Sequence, residues 1–434
     1  AGVYRTPHIA TEVRGIFTHT QPTAPYRGAG RPEAIHAIER AIDLAADELG
    51  MDRIALRRRN MIRPEEMPFR TGLDYTYDSG DFPRNMTMAL EAADWDGFAA
   101  RRAESATRGR LRGIAVANAI ESAGGPHRGP MEEAAEIRFD SGGSVTLLMG
   151  SHNHGQGHET VFRQVAAERL GIPPERIRFV CGDTDLVTHG RGTIGSRSMM
   201  AAGGALVFAA ERIIQRGKRI ASHLMEASEE DIEFADGAFR VAGTDRAIGI
   251  EDLARRSYVP GALPMGEELG LSALLITRPG DATFPNGCHV CEVEIDPETG
   301  ETALLGYVVV DDVGTVINPL LLKGQIHGGI AQGLGQVFGE EVRYGAAAQL
   351  LTASFADYPM PRAADFCDMR VLSNPAPTRT NPLGAKGAGE AGTVGALPAL
   401  MGAVVDALRP LGIQHLEMPA TPERVWRAIR AAKA

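Results

Sequence analysis

Glu390 is the single carboxylate in a glycine-rich stretch, GAKGAGEAGTVG (384–395), with Lys386 four residues before it. The stretch runs into a helical pattern of Leu397, Leu400, Val404 and Leu408. A carboxylate in a confined loop at a helix start suits a general base, because the helix N-terminus favours negative charge. The same spacing also suits a glutamate that caps its own backbone, and from spacing alone capping is the default.

Three other segments have the same style. HNHGQGHET (152–160) contains Gly155, Gln156 and Gly157, and HGRGTIGSRS (189–198) contains Gly195, Ser196 and Arg197. KGQIHGGIAQGLGQ (323–336) carries Gln325, Gln332 and Gln336. Glycine ahead of a helix lets backbone N–H groups meet an anionic or acceptor-rich ligand. Gln and Ser add neutral donors and acceptors suited to a heterocycle. One such segment means little; four in one chain point to one large polyvalent cofactor.

Several motifs compete with that reading. Gly387, Gly389 and Gly392 spell GxGxxG, but SNPAPTRTNPLGAK before them is not the strand a dinucleotide fold requires. His152, His154 and His158 with Glu159 could ligate a metal and would then suggest a zinc hydrolase. The intervening Gly155 and Gly157 indicate an irregular loop, so loop histidines are preferred. Cys288 and Cys291 match CxxC within an alternating strand, where positions i and i+3 face opposite ways, so a shared metal or redox pair is not expected. Arg57, Arg58 and Arg59 read as a solvated helix end.

The elements that must position these residues follow from periodicity. Residues 12–19 alternate like a strand. A helix opens at Pro32, repeats Ile35, Ile38, Ile42, Ala45 and Leu49, and stops at Gly50. Residues 60–108 are weakly periodic and read as a long excursion. Hairpins are predicted at 133–149, 231–241 and 290–311. EIRFDSGG in the first echoes EVEIDPETG in the last, a hint of internal duplication. A helix with Val161, Phe162, Val165, Ala166 and Leu170 on one face is predicted to end at Gly171, and others from about 203 and at about 325–338, 396–408 and 422–432. Mixed hairpins and helices argue for an α+β fold rather than a doubly wound parallel sheet.

Composition narrows the function. The 434 residues are 44% hydrophobic and 23% charged, ordinary for a globular protein of more than one domain. A net charge of −10 is the wrong sign for a nucleic-acid binder. Fifty-one glycines exceed the usual share of about 7% and suggest backbone pressed against a ligand. No uninterrupted run of about 18 apolar residues predicts a membrane span, and no signal peptide is visible. Four cysteines do not make a disulfide framework, which reads as a reduced, cytoplasmic protein.

The ordered series APYRGAGRPEA (24–34), GSHNHGQGHETVFRQVAAERLGI (150–172), GTIGSRS (192–198), GQIHGGIAQGLGQ (324–336) and GAKGAGEAGTVGALPA (384–399) resembles the large subunit of the xanthine dehydrogenase, aldehyde oxidase and aerobic carbon monoxide dehydrogenase family. The resemblance covers nearly the whole chain. It implies two mixed α/β subdomains of the molybdopterin-binding type, incomplete at the N-terminus. Residues 1–108 would be the remainder of the first cofactor domain plus the excursion. Residues 109–434 would be the second, with a C-terminal segment returning to the first.

The resemblance also implies molybdopterin, in its cytosine dinucleotide form, with molybdenum held through the pterin rather than by side chains. Arg27 matches an arginine beside the metal, and Gln156, between Gly155 and Gly157, a glutamine near it. Gly195, Ser196, Arg197, Gln325, Lys386 and Gly387 fall in cofactor-binding segments, and Glu390 matches the catalytic base, which reverses the capping default. The implied reaction is hydroxylation of an electron-poor carbon, heteroaromatic or aldehyde, with oxygen from water. No cysteine pattern here could hold iron–sulfur clusters, so iron–sulfur and FAD subunits are implied as partners. The competing role is a non-catalytic cofactor-binding or assembly subunit.

Three departures stand out. CO-oxidising members carry a copper-holding cysteine after the YR pair, where this chain has Gly28. Purine-oxidising members carry an aromatic two residues after the arginine, where this chain has Ala29; Gly28 and Ala29 are thus read as one wall of a substrate pocket. The family's upstream glycine-rich segment has no counterpart here, and residue 1 is Ala. A processed, split or fragmentary chain is the expectation, with a second polypeptide completing the large subunit.

Overall fold

A computed structural model describes residues 2–124 and 131–433. Among them, two four-stranded sheets carry most of the molecule. In the first sheet the order is Ser272–Thr277, Glu133–Phe139, Val145–Met149, Ile177–Cys181; in the second it is Leu111–Ile120, Asn286–Ile295, Thr302–Asp312, Met369–Ser373. Each sheet has an antiparallel edge strand, then a hairpin, then a parallel strand. The echo between the two hairpin sequences is therefore an echo in topology.

The repeat extends to the connections. In the first half, Val145–Met149 leads through a loop to helix His158–Leu170, returns as the parallel strand, and passes through a second loop to helix Gly203–Leu224. In the second half, Thr302–Asp312 leads to helix Pro319–Phe338, the parallel strand Met369–Ser373 and helix Ala391–Leu408. The edge strands are exchanged. Leu111–Ile120 precedes the first hairpin but pairs with the second, whereas Ser272–Thr277 precedes the second and pairs with the first. Neither half can complete its sheet without the other.

Alternating burial builds a separate core under each sheet. Ile137, Leu147 and Met149 pack with Phe162, Leu206 and Ile213 in the first. Val293, Tyr307 and Val309 pack with Ile330, Leu397 and Leu400 in the second. Cys291 belongs to this second core and Cys288 to a third, on the opposite face of the strand, and all four cysteines are free thiols.

Helix Ala391–Leu408 is buried along its whole length. It has the length and hydropathy of a membrane-crossing helix, yet protein encloses it on all sides. Helix Pro319–Phe338 packs against it through missing side chains. A Cβ on Gly329 would lie 2.7 Å from the Thr393 nitrogen, and one on Gly333 2.6 Å from the Ala396 Cβ. Gly329 and Gly333 of GQIHGGIAQGLGQ thus serve helix packing rather than close approach to a ligand.

Three predicted features differ. Residues 12–19 form no strand; Val13, Ile16 and Phe17 project into solvent. The excursion after Asn60 contains helices Phe82–Ala92 and Phe98–Thr107, whose apolar residues Phe82, Met86, Leu90 and Phe98 fill the third core. Arg57 is no solvated helix end. It is fully buried, bound by Glu39 Oε2 at 2.9 Å and Asp43 Oδ1 at 2.8 Å, because helix Arg53–Asn60 packs against helix Arg31–Glu48.

Candidate functional site

A cavity of about 650 Å³ opens where the repeated loops meet. From the first half come the loop before helix His158–Leu170 and the loop 193–199. From the second come the loop 313–318, the start of helix Pro319–Phe338, and the stretch 385–390. Two loop positions are thus each used twice and the duplication brings them together; three of the glycine-rich segments occupy them, while 323–336 lies within helix Pro319–Phe338.

Glu390 lies at the second-half end of this cavity, immediately before helix Ala391–Leu408. Its side chain does not cap that helix. Its Oε1 accepts the Gly28 N–H at 2.9 Å, and its Oε2 accepts the Ser196 hydroxyl at 2.6 Å. The carboxylate is therefore held by residues 362 and 194 positions away in the chain. Its backbone carbonyl meanwhile accepts Thr393 N–H at 3.0 Å, so the main chain begins the helix while the side chain is left for other use.

Arg27 stands beside it and ties two walls together. Its Nε donates to the Gly389 carbonyl at 2.6 Å, and its terminal nitrogens donate to Gln332 Oε1 at 2.9 Å and Gln325 Oε1 at 3.1 Å. Gln325 and Gln332 are two helical turns apart and so share a face. Burial pulls the Arg27 guanidinium below its ordinary range, while Glu390 and Tyr26 oppose that shift.

The backbone of the second wall requires missing side chains. A Cβ on Gly387 would lie 1.9 Å from the Ser196 carbonyl oxygen, so this contact between the two halves closes only with glycine. Gly195 and Ser196 both adopt positive φ, 53° and 54°, turning the Ser196 hydroxyl toward Glu390. Gly155 and Gln156 line the cavity, and Gly157 begins helix His158–Leu170 with no side-chain cap. The Gln156 amide engages His154, its Oε1 accepting the backbone N–H and its Nε2 lying 3.0 Å from the ring.

Two predicted cofactor residues direct their charges elsewhere. Arg197 is fully buried, paired with Glu133 and donating to the carbonyls of Met131 and Glu132. Lys386 contributes to the cavity wall, but its ammonium is spent on Asp312 at 2.5 Å and the Ser79 carbonyl. Each cation pins its own loop to its own sheet. Gly387 lies behind the wall, its N–H donating to Thr283.

Gly28 is buried beneath Glu390, and Ala29 is exposed on the outside of the turn; neither lines this cavity. The turn explains why: Gly28 has φ 101°, and its Cβ would lie 2.5 Å from Pro32. His154 and His158, weighed in the sequence only as possible metal ligands, face the cavity, as do Thr193, Asn318 and Gln332. Gln332 was legible as part of the glutamine-bearing segment; Thr193 and Asn318 carried no signal distinguishing them from ordinary loop residues. Burial, with His154 and His152 nearby, lowers His158 to about 4, so it is neutral and its Nδ1 is buried without a partner. Among the described residues, no group of three or more His, Cys, Asp or Glu is arranged to hold a metal ion.

The donor set fits a pterin. The amide oxygens of Gln156, Gln325 and Asn318 are engaged with His154, Arg27 and the Leu321 N–H, which leaves their remaining amide N–H groups as donors and the hydroxyl oxygens of Thr193, Ser196 and Ser198 as acceptors. The uncapped start of helix His158–Leu170 offers backbone N–H groups to phosphate. The open space beside Gly155 and Gly195, where a Cβ would meet nothing within 4 Å, leaves room for it.

Known proteins agree with this arrangement. The family of molybdopterin cofactor-binding domains matches residues 88–367, and a second such family matches residues 1–61. The chain is 36% identical over 444 residues to a carbon monoxide dehydrogenase large chain of Hydrogenophaga pseudoflava, covering 99% of this chain and 55% of the relative. It is 35% identical over 440 residues to a nicotine 6-hydroxylase large subunit of Paenarthrobacter nicotinovorans, covering 99% and 54%. The structure of quinoline 2-oxidoreductase from Pseudomonas putida 86 superposes with a TM-score of 0.88 at 35% identity, over 93% of this chain and 53% of that one. The chain spans about half the length of the relatives it matches. With both cofactor-binding families present in order and the repeated loops converging on Glu390, this chain belongs to the large subunits of the molybdenum hydroxylases, the xanthine oxidase family.

Proposed function

We propose that this chain forms the cofactor-gripping and base-bearing part of a molybdenum-dependent hydroxylase acting on an electron-poor carbon, an N-heteroaromatic ring or an aldehyde. The observation that carries this is the Glu390 carboxylate, held between Gly28 N–H and Ser196 Oγ at the wall of a cavity lined by neutral hydrogen-bonding groups. When bound, molybdopterin with its molybdenum supplies the two-electron redox chemistry and the site of oxygen transfer. The protein residues bind, orient and move a proton. Gln156, Gln325 and Asn318 would hold the pterin, and the N-terminus of helix His158–Leu170 the phosphate of a cytosine dinucleotide form. Glu390 would accept the proton of the water that becomes the new hydroxyl, with Gly28 and Ser196 fixing its orientation.

The Gly28 turn bears on substrate. A cysteine there would force a Cβ into Pro32 and strain a backbone at φ 101°, which disfavours the copper-holding arrangement. The relatives' names do not choose between these substrates: a carbon monoxide dehydrogenase large chain matches at 36% identity, and a nicotine 6-hydroxylase and a quinoline 2-oxidoreductase at 35%.

The proposal includes partners, an iron–sulfur subunit and an FAD subunit to carry electrons away, and a surface that docks the remainder of the large subunit, in the same or a second polypeptide. Support for the last comes from surface chemistry. Val13, Ile16 and Phe17 are exposed along an extended stretch, and Leu351, Phe355 and Met360 are exposed in the excursion 339–361. The two stretches meet where Gln21 N–H donates to the Tyr344 hydroxyl at 3.0 Å. Such a surface ordinarily belongs to an interface. The cytoplasm is the proposed compartment, in keeping with four thiols left unpaired.

The test is metal and nucleotide analysis of the protein purified with the chains that accompany it. About one molybdenum per complex with released cytosine nucleotide, and turnover of N-heterocycles or aldehydes, is the expected result. A complete multi-chain complex without molybdenum would overturn the reading. A Glu390→Gln complex that keeps both molybdenum and wild-type turnover would favour the assembly role instead.

A further inference from the structure

Glu121 ends the strand Leu111–Ile120 and is 2% exposed. Its backbone N–H donates to the Pro285 carbonyl at 2.8 Å, so its position is fixed by the sheet. Its Oε1 accepts the Ser122 N–H at 3.0 Å and forms an ion pair with Arg31 Nε at 2.9 Å, and its Oε2 is buried with no partner. A buried carboxyl with an empty oxygen is costly, and a neutral side chain of the same shape would remove that cost. The reason for a carboxylate must lie in what it grips.

Arg31 is the first residue of helix Arg31–Glu48 and closes the turn that begins at Arg27. Its own N–H donates to the Gly28 carbonyl at 3.0 Å. On the other side of the same residue, the Gly28 N–H donates to Glu390 Oε1. The contacts therefore run from Glu121 to Arg31 by an ion pair, and from Arg31 to Gly28 and from Gly28 to Glu390 by hydrogen bonds. Gly28 can turn both polar groups to these partners because its φ is 101° and Pro32 fills the space beside it.

We propose that Glu121 is a positioning residue for Glu390: by gripping Arg31 it holds the 27–31 turn at the setting that delivers the Gly28 N–H to the Glu390 carboxylate. The inference deepens the reading of Glu390 as a base. It concerns only groups of this chain, so it is tested separately from the presence of molybdenum.

The charged groups acting on Glu121 are Arg31, from the helix packed over it, and Glu390, from the loop before helix Ala391–Leu408; Arg31 also acts on the buried Tyr77. Burial pushes Glu121 up to about 8, with Arg31 opposing and Glu390 adding to the rise. The grip on Arg31 therefore changes from that of a neutral acid to that of an ion pair as pH passes 8. A residue that only filled space would give no such signature.

The experiment is amide NMR of the cofactor-free 434-residue chain, labelled with ¹⁵N-glycine, from pH 6 to 9.5. The Gly28 resonance is identified by its loss in Gly28→Ala. In the wild type it is expected far downfield, as a donor to a carboxylate, and to move with an inflection near 8. Glu390→Gln is expected to shift it upfield. Glu121→Gln and Arg31→Gln are expected to shift it in the same direction and to abolish the inflection. Arg31 is partly exposed, so its variant removes the grip from the outside without emptying the core. A Gly28 resonance with wild-type position and pH course in both Glu121→Gln and Arg31→Gln would overturn the proposal, and so would one indifferent to Glu390→Gln. In the loaded complex, molybdenum content is expected to be unchanged by Glu121→Gln and kcat to fall about tenfold or more, with KM little affected. Loss of molybdenum from that variant would instead assign Glu121 to holding the fold and overturn its positioning role.

Discussion

The two sheets share an order of elements and do different work. Both place a loop and a helix start at the cavity after the second hairpin strand, and another loop there after the parallel strand. Both pin the latter loop by a fully buried cation to a sheet carboxylate, Arg197 to Glu133 in one and Lys386 to Asp312 in the other. Yet both halves present neutral groups, Gln156, Thr193 and Ser196 from the first and Asn318, Gln325 and Gln332 from the second, while the carboxylate at the cavity comes from the second. A duplicated scaffold lets the loops diverge: both copies keep neutral groups for a heterocycle, and the second adds a base on the loop after its parallel strand. Ser196 of the first half donating to Glu390 of the second is where they meet.

The comparison is broken most forcefully at the base. Glu390→Gln should lower turnover by about 10²–10⁴-fold while leaving molybdenum content intact, since holding and reacting are assigned to different loops. Turnover assays beside metal analysis check this, and parallel loss of both would erase the division of labour. Next comes Arg197→Met, which leaves Glu133 buried and unpaired. It should cost about 3–5 kcal/mol in denaturant unfolding and empty the cofactor site, because it releases the first-half loop. Gly387→Val tests the contact between halves. Its side chain meets the Ser196 carbonyl and should cost about 1–3 kcal/mol, with nucleotide content falling before the fold is lost.

The smallest effect sharpens the contrast through pH. In the second sheet burial, with Asp312 adding, raises Asp311 to about 8, above its unfolded value near 4. The folded state then binds the proton more tightly, so stability falls as pH rises from about 4 to 8. His289 beside it is lowered by burial to about 3, so the unfolded state binds its proton more tightly and stability rises from about 3 to 6.5. Asp311→Asn should flatten the falling limb in Tm measured from pH 5 to 9. It should not remove that limb, because Glu121 contributes the same sign. An unchanged pH course would show that Asp311 does not titrate in this range.

Much of the architecture was legible. Hairpin turns at Asp140 and Pro297, alternating burial, and helices stopping at Gly50 and Gly171 follow from local rules that need no partner. The helices at 82–107 were missed because each spans only 10 or 11 residues, and Pro, Met and Asp in and around them blur the period. The strand at 12–19 has the right alternation but no partner among the described residues, and a strand is defined by its partner. Arg57 read as solvated because three adjacent arginines look like a surface; helix packing selected one of them for burial.

The sequence by itself determined the chemistry on offer: a carboxylate at a helix start, neutral amides and hydroxyls after glycines, and the order in which they occur. Local spacing also determined most of the helices and hairpins that carry them. Only the tertiary structure decided which groups serve the cavity and which are consumed in holding it. Arg197 and Lys386 sit in glycine-rich motifs like Glu390, but their charges end on Glu133 and Asp312. The exchanged edge strands fold the two copies of the loops against each other, and a hydrogen bond across 362 residues follows no local period. Distance along the chain carries no information about such contacts; they depend on which surfaces the two sheets bury together.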